Sequence, residues 1–352
     1  MITRRNFIKQ SIAAGVACSI PYHLFAQEKP VQKMIWANLL HLSYQIGRDH
    51  IPLDLSAQDC DSCTCADASA WARVYRPYHT FDETVWDVIL KDMAVAGINM
   101  VVIDVLNAVA YESHPEIATR NAWTPEKLRN ELVKMRKLGL EPIPKLNFST
   151  THDAWLGEYH RMVSTKKYYE VCSDLIHEVI NIFDTPRFFH LGLDEENAYK
   201  QRNTDISVVR NNNLWWSDLY FYIAEIEKKN VRPWIWSDYC LEHPETFFRK
   251  MPKSVLQSNW YYGSSFNPEK VKAVELFHQL EAHGYDQIPT GSNYYNDKNM
   301  EATVEYCKNM IDQSRLLGFM QSSWRPTMAS CLKEHQEAIK QMSHAIKKFN
   351  NP

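Results

Sequence analysis

Short apolar segments alternate with helix-forming segments eight times between residue 33 and the C-terminus. Most of the apolar segments are continuous rather than alternating, as in parallel strands that are buried on both faces. This order predicts a parallel sheet covered by helices. The eight predicted strands are KMIWANLLHL (33–42), INMVVIDV (98–105), LEPIPKLNF (140–148), RFFHLGLD (187–194), RPWIWSD (232–238), VLQSNWYY (255–262), QIPTGSN (287–293) and LGFMQSSW (317–324).

The segments between these strands carry helix start and stop signals. Residues 124–139 begin with Thr124 as a predicted N-cap that is followed by proline, and they end at Gly139. Residues 81–97 begin with an aspartate cap and end in glycine, and residues 267–284 begin with Asn-Pro and end in glycine. These signals predict a helix in each of the three ranges.

Eight strand–helix units in roughly 320 residues match a (β/α)8 TIM barrel in number and size. An open doubly wound α/β sheet is the alternative. It is less favoured because the chain has only 10 glycines and lacks the glycine-rich loops that bind nucleotide phosphates. No linker or repeat marks a second domain, so we expect residues 27–352 to form one domain.

The N-terminal 26 residues have the pattern of a twin-arginine signal peptide. Arg4 and Arg5 precede a weakly apolar run that is too short to span a membrane. A chance arginine pair before a short helix is the alternative. The run around Cys18 is only faintly similar to a lipoprotein site, because Gly15 stands where leucine is usual. The pattern predicts export to the periplasm or the medium.

The net charge of −3 and the lack of a basic stripe argue against a nucleic-acid partner. Cys60, Cys63 and Cys65 lie in a long connection, residues 43–80, which a barrel would place over its C-terminal face, where such loops are usually functional. These cysteines form a disulfide or stay free in one interpretation and bind a metal in another.

Acidic, amide and aromatic residues gather at the predicted strand ends, where barrels of this class carry their sites. Rings stack on the C–H face of a sugar, and amides and carboxylates bind its hydroxyls, so this set predicts a glycoside-processing pocket. In the alternative, the rings only plug the barrel mouth. The residues are Asp104, Asn147, His152, Asp194, Glu195, Glu196, Trp236, Asp238, Trp260, Tyr261, Tyr262, Tyr294 and Trp324.

Asp194 and Glu195 are adjacent carboxylates at the end of the fourth strand. Two carboxylates close together cannot both ionise without cost, so we expect one of the two to have a raised pKa. That group could protonate a leaving glycosidic oxygen while its charged neighbour stabilises the reacting centre. A solvated charge run is the alternative.

The sequence HLGLDEE (190–196) resembles the His-Ile-Gly-Gly-Asp-Glu signature of glycoside hydrolase family 20, the β-N-acetylhexosaminidases. The runs from INMVVIDV to THDAW and from RPWIWSDY to VLQSNWYYG are similar to strands 2, 3, 5 and 6 of that family. The resemblance covers residues 95–265 and continues more weakly to 325. It implies retaining hydrolysis in which the substrate's own 2-acetamido oxygen attacks the anomeric carbon, with no metal or organic cofactor.

The resemblance also implies roles for individual residues. Asp194 would orient the acetamido group, and Glu195 would be the general acid/base. His152, paired with Asp104, would support Glu195. Trp236, Trp260 and Trp324 would wall the pocket, and Tyr261 or Tyr262 would donate to the acetamido oxygen; Asn147, Asp238, Tyr294 and Arg325 complete the expected substrate-binding set.

For Asp194 and Glu195 both to enter the site, the fourth strand must end or bulge before them, because simple alternation would send Glu195 away. Glu196 then becomes a structural residue.

Several residues depart from the family pattern. Leu193 replaces the second glycine of the signature, and Lys145 and Asn147 replace carboxylates of the third strand. Arg325 stands where an acidic residue often follows the last tryptophan, and the first strand lacks the usual sugar-binding arginine. Because Lys145 and Arg325 are cations where the family has acids, we expect the pocket to prefer a modified or anionic hexosaminide as its substrate. In the alternative, both cations lie outside the pocket. A glycosidase for a sugar without an acetamido group, or a catalytically silent glycan-binding barrel, is the alternative function.

Overall fold

The computed structural model describes residues 33–48, 75–202, 204 and 206–350. The predicted signal peptide, Cys18, and the cluster of Cys60, Cys63 and Cys65 lie outside the described residues. Within the described part of the chain, no helix is long and apolar enough to cross a membrane.

Eight parallel strands form the sheet, in the order β6-β5-β4-β3-β2-β1-β8-β7. Parallel bridges from Gln257 to Gln287 and from Trp260 to Thr290 join the two outer strands, so the sheet closes. The (β/α)8 barrel is confirmed, and the open doubly wound sheet is wrong. The strands are β1 Ile35–His41, β2 Met100–Asp104, β3 Glu141–Lys145, β4 Phe188–His190, β5 Arg232–Trp236, β6 Leu256–Ser258, β7 Thr290–Gly291 and β8 Gly318–Ser322.

The helices follow the strands in alternation. They are α1 Glu83–Ala96, α2 Pro125–Lys137, α3 Lys166–Ile182, α4 Asn213–Glu227, α5 Asp238–Glu242, α6 Pro244–Lys250, α7 Lys272–Ala282, α8 Asn299–Met310 and α9 Leu332–Asn350. Short 3-10 helices cover Leu106–Ala108, Pro115–Ile117, Ala154–Arg161 and Ala329–Cys331.

The start and stop signals are correct for two of the three predicted helices. The carboxylate of Asp82 accepts hydrogen bonds from the first turn of α1, and Thr124 caps α2 in the same way. The third prediction is wrong at its start, because α7 begins only at Lys272. The side chain of Asn267 accepts a hydrogen bond from the amide of Glu269 instead, which forms a separate turn before the helix.

Two apolar layers hold the barrel together. Side chains such as Met100, Ile143 and Met320 form a small cluster that includes residues of all the strands except β7. A larger cluster packs the outer faces of the strands against the helices. Because the interior is filled with side chains, an open site can form only at an end of the barrel.

Candidate active site

A cavity of about 470 Å³ opens at the C-terminal ends of the strands. Its lining mixes charged, polar and aromatic side chains from strand ends and from the loops after them. The lining residues are Tyr44, Ile46, Gly47, Asp104, Lys145, Asn147, Thr151, His152, Asp194, Glu195, Tyr199, Lys200, Arg202, Thr204, Trp260, Tyr262, Tyr294, Tyr295 and Trp324.

The backbone after β4 turns sharply, which determines where the three acidic residues point. Gly192, Leu193 and Glu195 have φ values of 69°, 68° and 58°. A β-carbon on Gly192 would lie 2.1 Å from the amide oxygen of Asn147, so only glycine fits there. The strand therefore ends before Asp194, as predicted, and Asp194 and Glu195 both line the cavity.

Glu196 points away from the cavity into a buried ion pair. Its carboxylate accepts hydrogen bonds from Arg210 Nη2 at 2.5 Å and Nε at 2.8 Å, and from the backbone amide of Thr150 at 3.2 Å. Arg210 also donates to Asp218 at 3.0 Å. Glu196 therefore holds the loop after β4 against the rest of the barrel, in the structural position expected from the sequence.

Asp194 is held in one orientation by its neighbours on β3 and the loop after it. Asn147 Nδ2 donates to Asp194 Oδ1 at 2.8 Å, and the Ser149 hydroxyl donates to the Asp194 backbone carbonyl at 2.5 Å. His152 Nε2 lies 3.3 Å from Asp194 Oδ2. Burial raises the pKa of Asp194, but the His152 and Lys145 charges and the Asn147 hydrogen bond outweigh it and lower that pKa.

His152 lies between the two carboxylates, because its Nε2 is also 3.5 Å from Glu195 Oε2. Burial alone lowers the pKa of His152, but the charges and hydrogen bonds of Asp194 and Glu195 outweigh it and raise this pKa to about 10. The imidazole is therefore positively charged at neutral pH.

Glu195 has a second cationic partner, since Lys200 Nζ donates to Glu195 Oε1 at 2.6 Å. Burial raises the pKa of Glu195, but the hydrogen bonds from His152 and Lys200 outweigh it, and the pKa is lowered overall. The prediction that one carboxyl of this pair has a raised pKa is therefore wrong. It considered the repulsion between the two carboxylates and missed the two cations that offset it.

A carboxyl near the two acids that does have a raised pKa is that of Asp238, at the start of α5. Burial raises this pKa most, and the charges of Asp194 and Glu195 raise it further. Asp238 Oδ2 accepts a hydrogen bond from Trp260 Nε1 at 2.8 Å. Asp238 is not among the cavity-lining residues, so it orients the Trp260 ring from behind.

The predicted pairing of Asp104 with His152 is wrong. Asp104 Oδ1 accepts a hydrogen bond from Lys145 Nζ at 2.6 Å, and Asp104 Oδ2 lies 2.9 Å from His41 Nδ1. All three side chains are almost fully buried at the floor of the cavity. They occupy adjacent register positions on β1, β2 and β3, so Lys145, the residue that departs from the family pattern, takes the place of His152 as the partner of Asp104.

Four predicted aromatic residues line the cavity: Trp260, Tyr262, Tyr294 and Trp324. Trp324 Nε1 donates to the Tyr262 hydroxyl at 2.6 Å, and the Trp260 and Tyr262 rings lie 4.9 Å apart. This wall gives a sugar ring flat apolar surfaces with a hydroxyl between them.

Four residues of the predicted substrate-binding set, Asp238 among them, are not among the cavity-lining residues. Trp236 is 1% exposed and packs under Trp324, so it supports the wall from below. Tyr261 packs against the outer core and Phe266, because alternation along the chain sends it opposite to Tyr262. The guanidinium of Arg325 lies over the Tyr294 ring and donates to the Trp324 carbonyl at 3.1 Å.

Sequence reasoning did not name several cavity-lining residues. Tyr44, Ile46 and Gly47 come from the long connection after β1, whose length was the available signal. Lys200 and Arg202 come from the loop after β4, and no motif marks them. The cavity thus brings two adjacent ionised carboxylates, with an imidazolium between them, to the same space as a wall of rings. Such a site can bind a sugar ring and exchange a proton with it.

No protein-family model matches the sequence, and none of the curated proteins searched is a match. Among solved structures, the chain is similar to a chitobiase from Flavobacterium johnsoniae, with a TM-score of 0.52, 14% identity, and coverage of 77% of this chain and 50% of the other. It is also similar to an exo-β-N-acetylglucosaminidase of family 20 from Vibrio harveyi, with a TM-score of 0.56, 11% identity and coverage of 90% and 56%.

A third similar structure is the family 20 β-N-acetylhexosaminidase from Streptomyces coelicolor A3(2), with a TM-score of 0.58, 11% identity and coverage of 88% and 64%. The chain spans about half the length of the first two proteins. At these identities the likeness concerns the backbone. The comparisons therefore show that the chain folds as the same (β/α)8 barrel as these family 20 glycoside hydrolases.

Proposed function

We propose that this protein is an exported, exo-acting glycoside hydrolase that removes terminal β-linked N-acetylhexosamine from a glycan. The observation that carries the proposal is that Asp194 and Glu195 both line one cavity, with His152 between them. The aromatic side chains of Trp260, Tyr262, Tyr294 and Trp324 line the same cavity. The solved structures that share the fold are named as enzymes of this activity, which supports the same assignment.

In this proposal the ionised Asp194 accepts a hydrogen bond from the N–H of the substrate's acetamido group. This hydrogen bond aims the carbonyl oxygen of the acetamido group at the anomeric carbon. The negative charge of Asp194 stabilises the positive charge that develops on the acetamido group. Asn147 prevents Asp194 from rotating, because it holds the other carboxylate oxygen. In this proposal the rings of Trp260 and Trp324 support the sugar, and the Tyr262 hydroxyl, which accepts a hydrogen bond from Trp324 Nε1, donates its own proton to the acetamido oxygen.

Glu195 acts as the general acid and then as the base in this proposal. His152 and Lys200 hold Glu195 ionised, so this carboxyl must take up a proton before the glycosidic bond breaks. The positive charge of Lys200 stabilises the ionised form of Glu195. If Lys200 moves away, the pKa of Glu195 rises and protonation becomes easier. We infer that the substrate displaces Lys200 from Glu195 as it binds.

The same electrostatics favour a second candidate, a catalytically silent barrel that binds glycans. A carboxylate that two cations hold ionised is a poor proton donor at neutral pH. A glycosidase that acts on a sugar without an acetamido group is a variant of the first proposal, with a different task for Asp194.

The first test replaces Glu195 with Gln and measures hydrolysis of aryl β-N-acetylglucosaminides. Loss of a general acid should reduce kcat/KM by about 10²–10⁴-fold for a poor leaving group. The loss should be much smaller for 4-nitrophenol, which departs without a proton. Glu158→Gln is the control, because Glu158 is an exposed acid in the Ala154–Arg161 helix and should retain wild-type rates.

Equal losses for both leaving groups would contradict the acid role of Glu195. Equal wild-type rates on β-glucosides and β-N-acetylglucosaminides would contradict the part assigned to the acetamido group. Glycan binding with no turnover of any aryl glycoside would favour the silent barrel.

A second test concerns Lys200. Removing its positive charge raises the pKa of Glu195, so the variant Lys200→Met should shift the basic limb of the pH profile of kcat/KM upward, by about one unit. Lys229→Met, at an exposed position just after α4, is the control. An unchanged basic limb in Lys200→Met would show that Lys200 does not influence the proton on Glu195.

The export part of the proposal rests on the twin-arginine pattern, and the disulfide-bonded state of Cys331 agrees with an oxidising compartment. In a bacterial host, the mature protein should begin at residue 27, and replacing Arg4 and Arg5 with Lys should leave it uncleaved in the cytoplasm. N-terminal sequencing and fractionation check both results. Export of the double variant at the wild-type level would contradict a twin-arginine signal.

A further inference from the structure

Two tyrosines at the cavity mouth expose most of their surface. Tyr199 is 68% exposed and Tyr295 is 74% exposed, although both line the cavity. A ligand that covers these rings would remove apolar surface from water, which is favourable. The two rings therefore provide a binding surface outside the Trp260–Trp324 wall.

Among the described residues that line the cavity, four are cationic and three are carboxylates. Asp104 is paired with Lys145, Asp194 with His152, and Glu195 with Lys200. The fourth cation is Arg202. In the described part of the chain, no carboxylate lies within ion-pair distance of Arg202, and its side chain is exposed.

Arg202 is already held in place for binding. Its guanidinium carbon lies 3.8 Å from the centre of the Tyr199 ring, and its Nη1 donates to the Tyr199 carbonyl at 2.6 Å. One hydrogen bond occupies one of the five guanidinium N–H donors, so the exposed side chain can offer others. A planar guanidinium matches the paired oxygens of a carboxylate or a sulfate.

The position of this charge relative to Glu195 indicates which sugar it would contact. Lys200 and Arg202 lie on the loop that follows Glu195, and Lys200 contacts Glu195 Oε1 directly. In the proposed function, this is the carboxyl that protonates the glycosidic oxygen, so the loop borders the leaving group rather than the terminal sugar.

We propose that Arg202, Tyr199 and Tyr295 form an outer subsite for an acidic sugar unit, a uronate or a sulfated sugar, on the leaving-group side of the bond. This inference rests on the proposed function and makes the substrate an acidic glycan. It also relocates the anionic preference suggested by the sequence, because Lys145 is paired with Asp104, and Arg325 packs on Tyr294 outside the cavity lining.

Binding measured by calorimetry on the Glu195→Gln variant tests the subsite without turnover. The ligands are β-N-acetylglucosaminyl glucuronate, the same disaccharide with glucose in place of glucuronate, and a version with a 6-sulfated glucose. At low salt we expect the acidic ligands to bind about fivefold more tightly than the neutral one, and added salt should reduce this ratio.

Adding Arg202→Gln should bring the ratio close to one, whereas adding Arg249→Gln, an exposed arginine of α6, should leave it unchanged. Adding Tyr199→Ser should weaken binding of all three ligands. A ratio near one before Arg202 is changed, or a ratio that Arg202→Gln does not alter, would overturn the inference. So would a failure of all three ligands to bind.

The two proposals fail separately. Hydrolysis of aryl β-N-acetylglucosaminides by the wild type, without an acidic preference in binding, would leave the proposed function standing and remove the outer subsite. An Arg202-dependent acidic preference in a protein that hydrolyses no glycoside would support the subsite and reject the enzyme.

Discussion

The imidazole of His152 lies between the carboxylates of Asp194 and Glu195, and the arrangement of the site depends on this contact. Two adjacent carboxylates in a partly buried cavity repel each other and lose hydration. A charged imidazole within 3.5 Å of both offsets that cost. Without it, the turn after β4 would bring two ionised groups together, and Lys200, Lys145 and Asn147 would remain to compensate.

The backbone and the charges support each other. The turn of Gly192 and Leu193 fits closely against Asn147, and the same Asn147 holds Asp194. Glu196 anchors the other side of the turn through Arg210. Three consecutive acidic residues therefore have three different environments, and the difference arises from backbone conformation rather than from residue type.

Much of the fold could be predicted from the sequence, because continuous apolar runs and helix caps are local signals. The eight strands and the Asp82 and Thr124 caps belong to this class. The entry of Asp194 and Glu195 into one site came from a motif. The partners of Asp104 and the outward direction of Tyr261 could not be predicted, because they depend on register between distant strands and on packing across the barrel. The lowered pKa of Glu195 depends on Lys200, whose loop has no sequence signature.

Titration of the His152 ring by nitrogen-detected NMR, assigned with a His152→Gln variant, tests the central contact most directly. We predict an imidazolium that stays charged at pH 8 and loses its proton at about 10. In Asp194→Asn this pKa should fall toward about 6.5, the ordinary value of histidine. A ring that is neutral at pH 7 in the wild type, or one whose pKa Asp194→Asn does not change, would contradict the account.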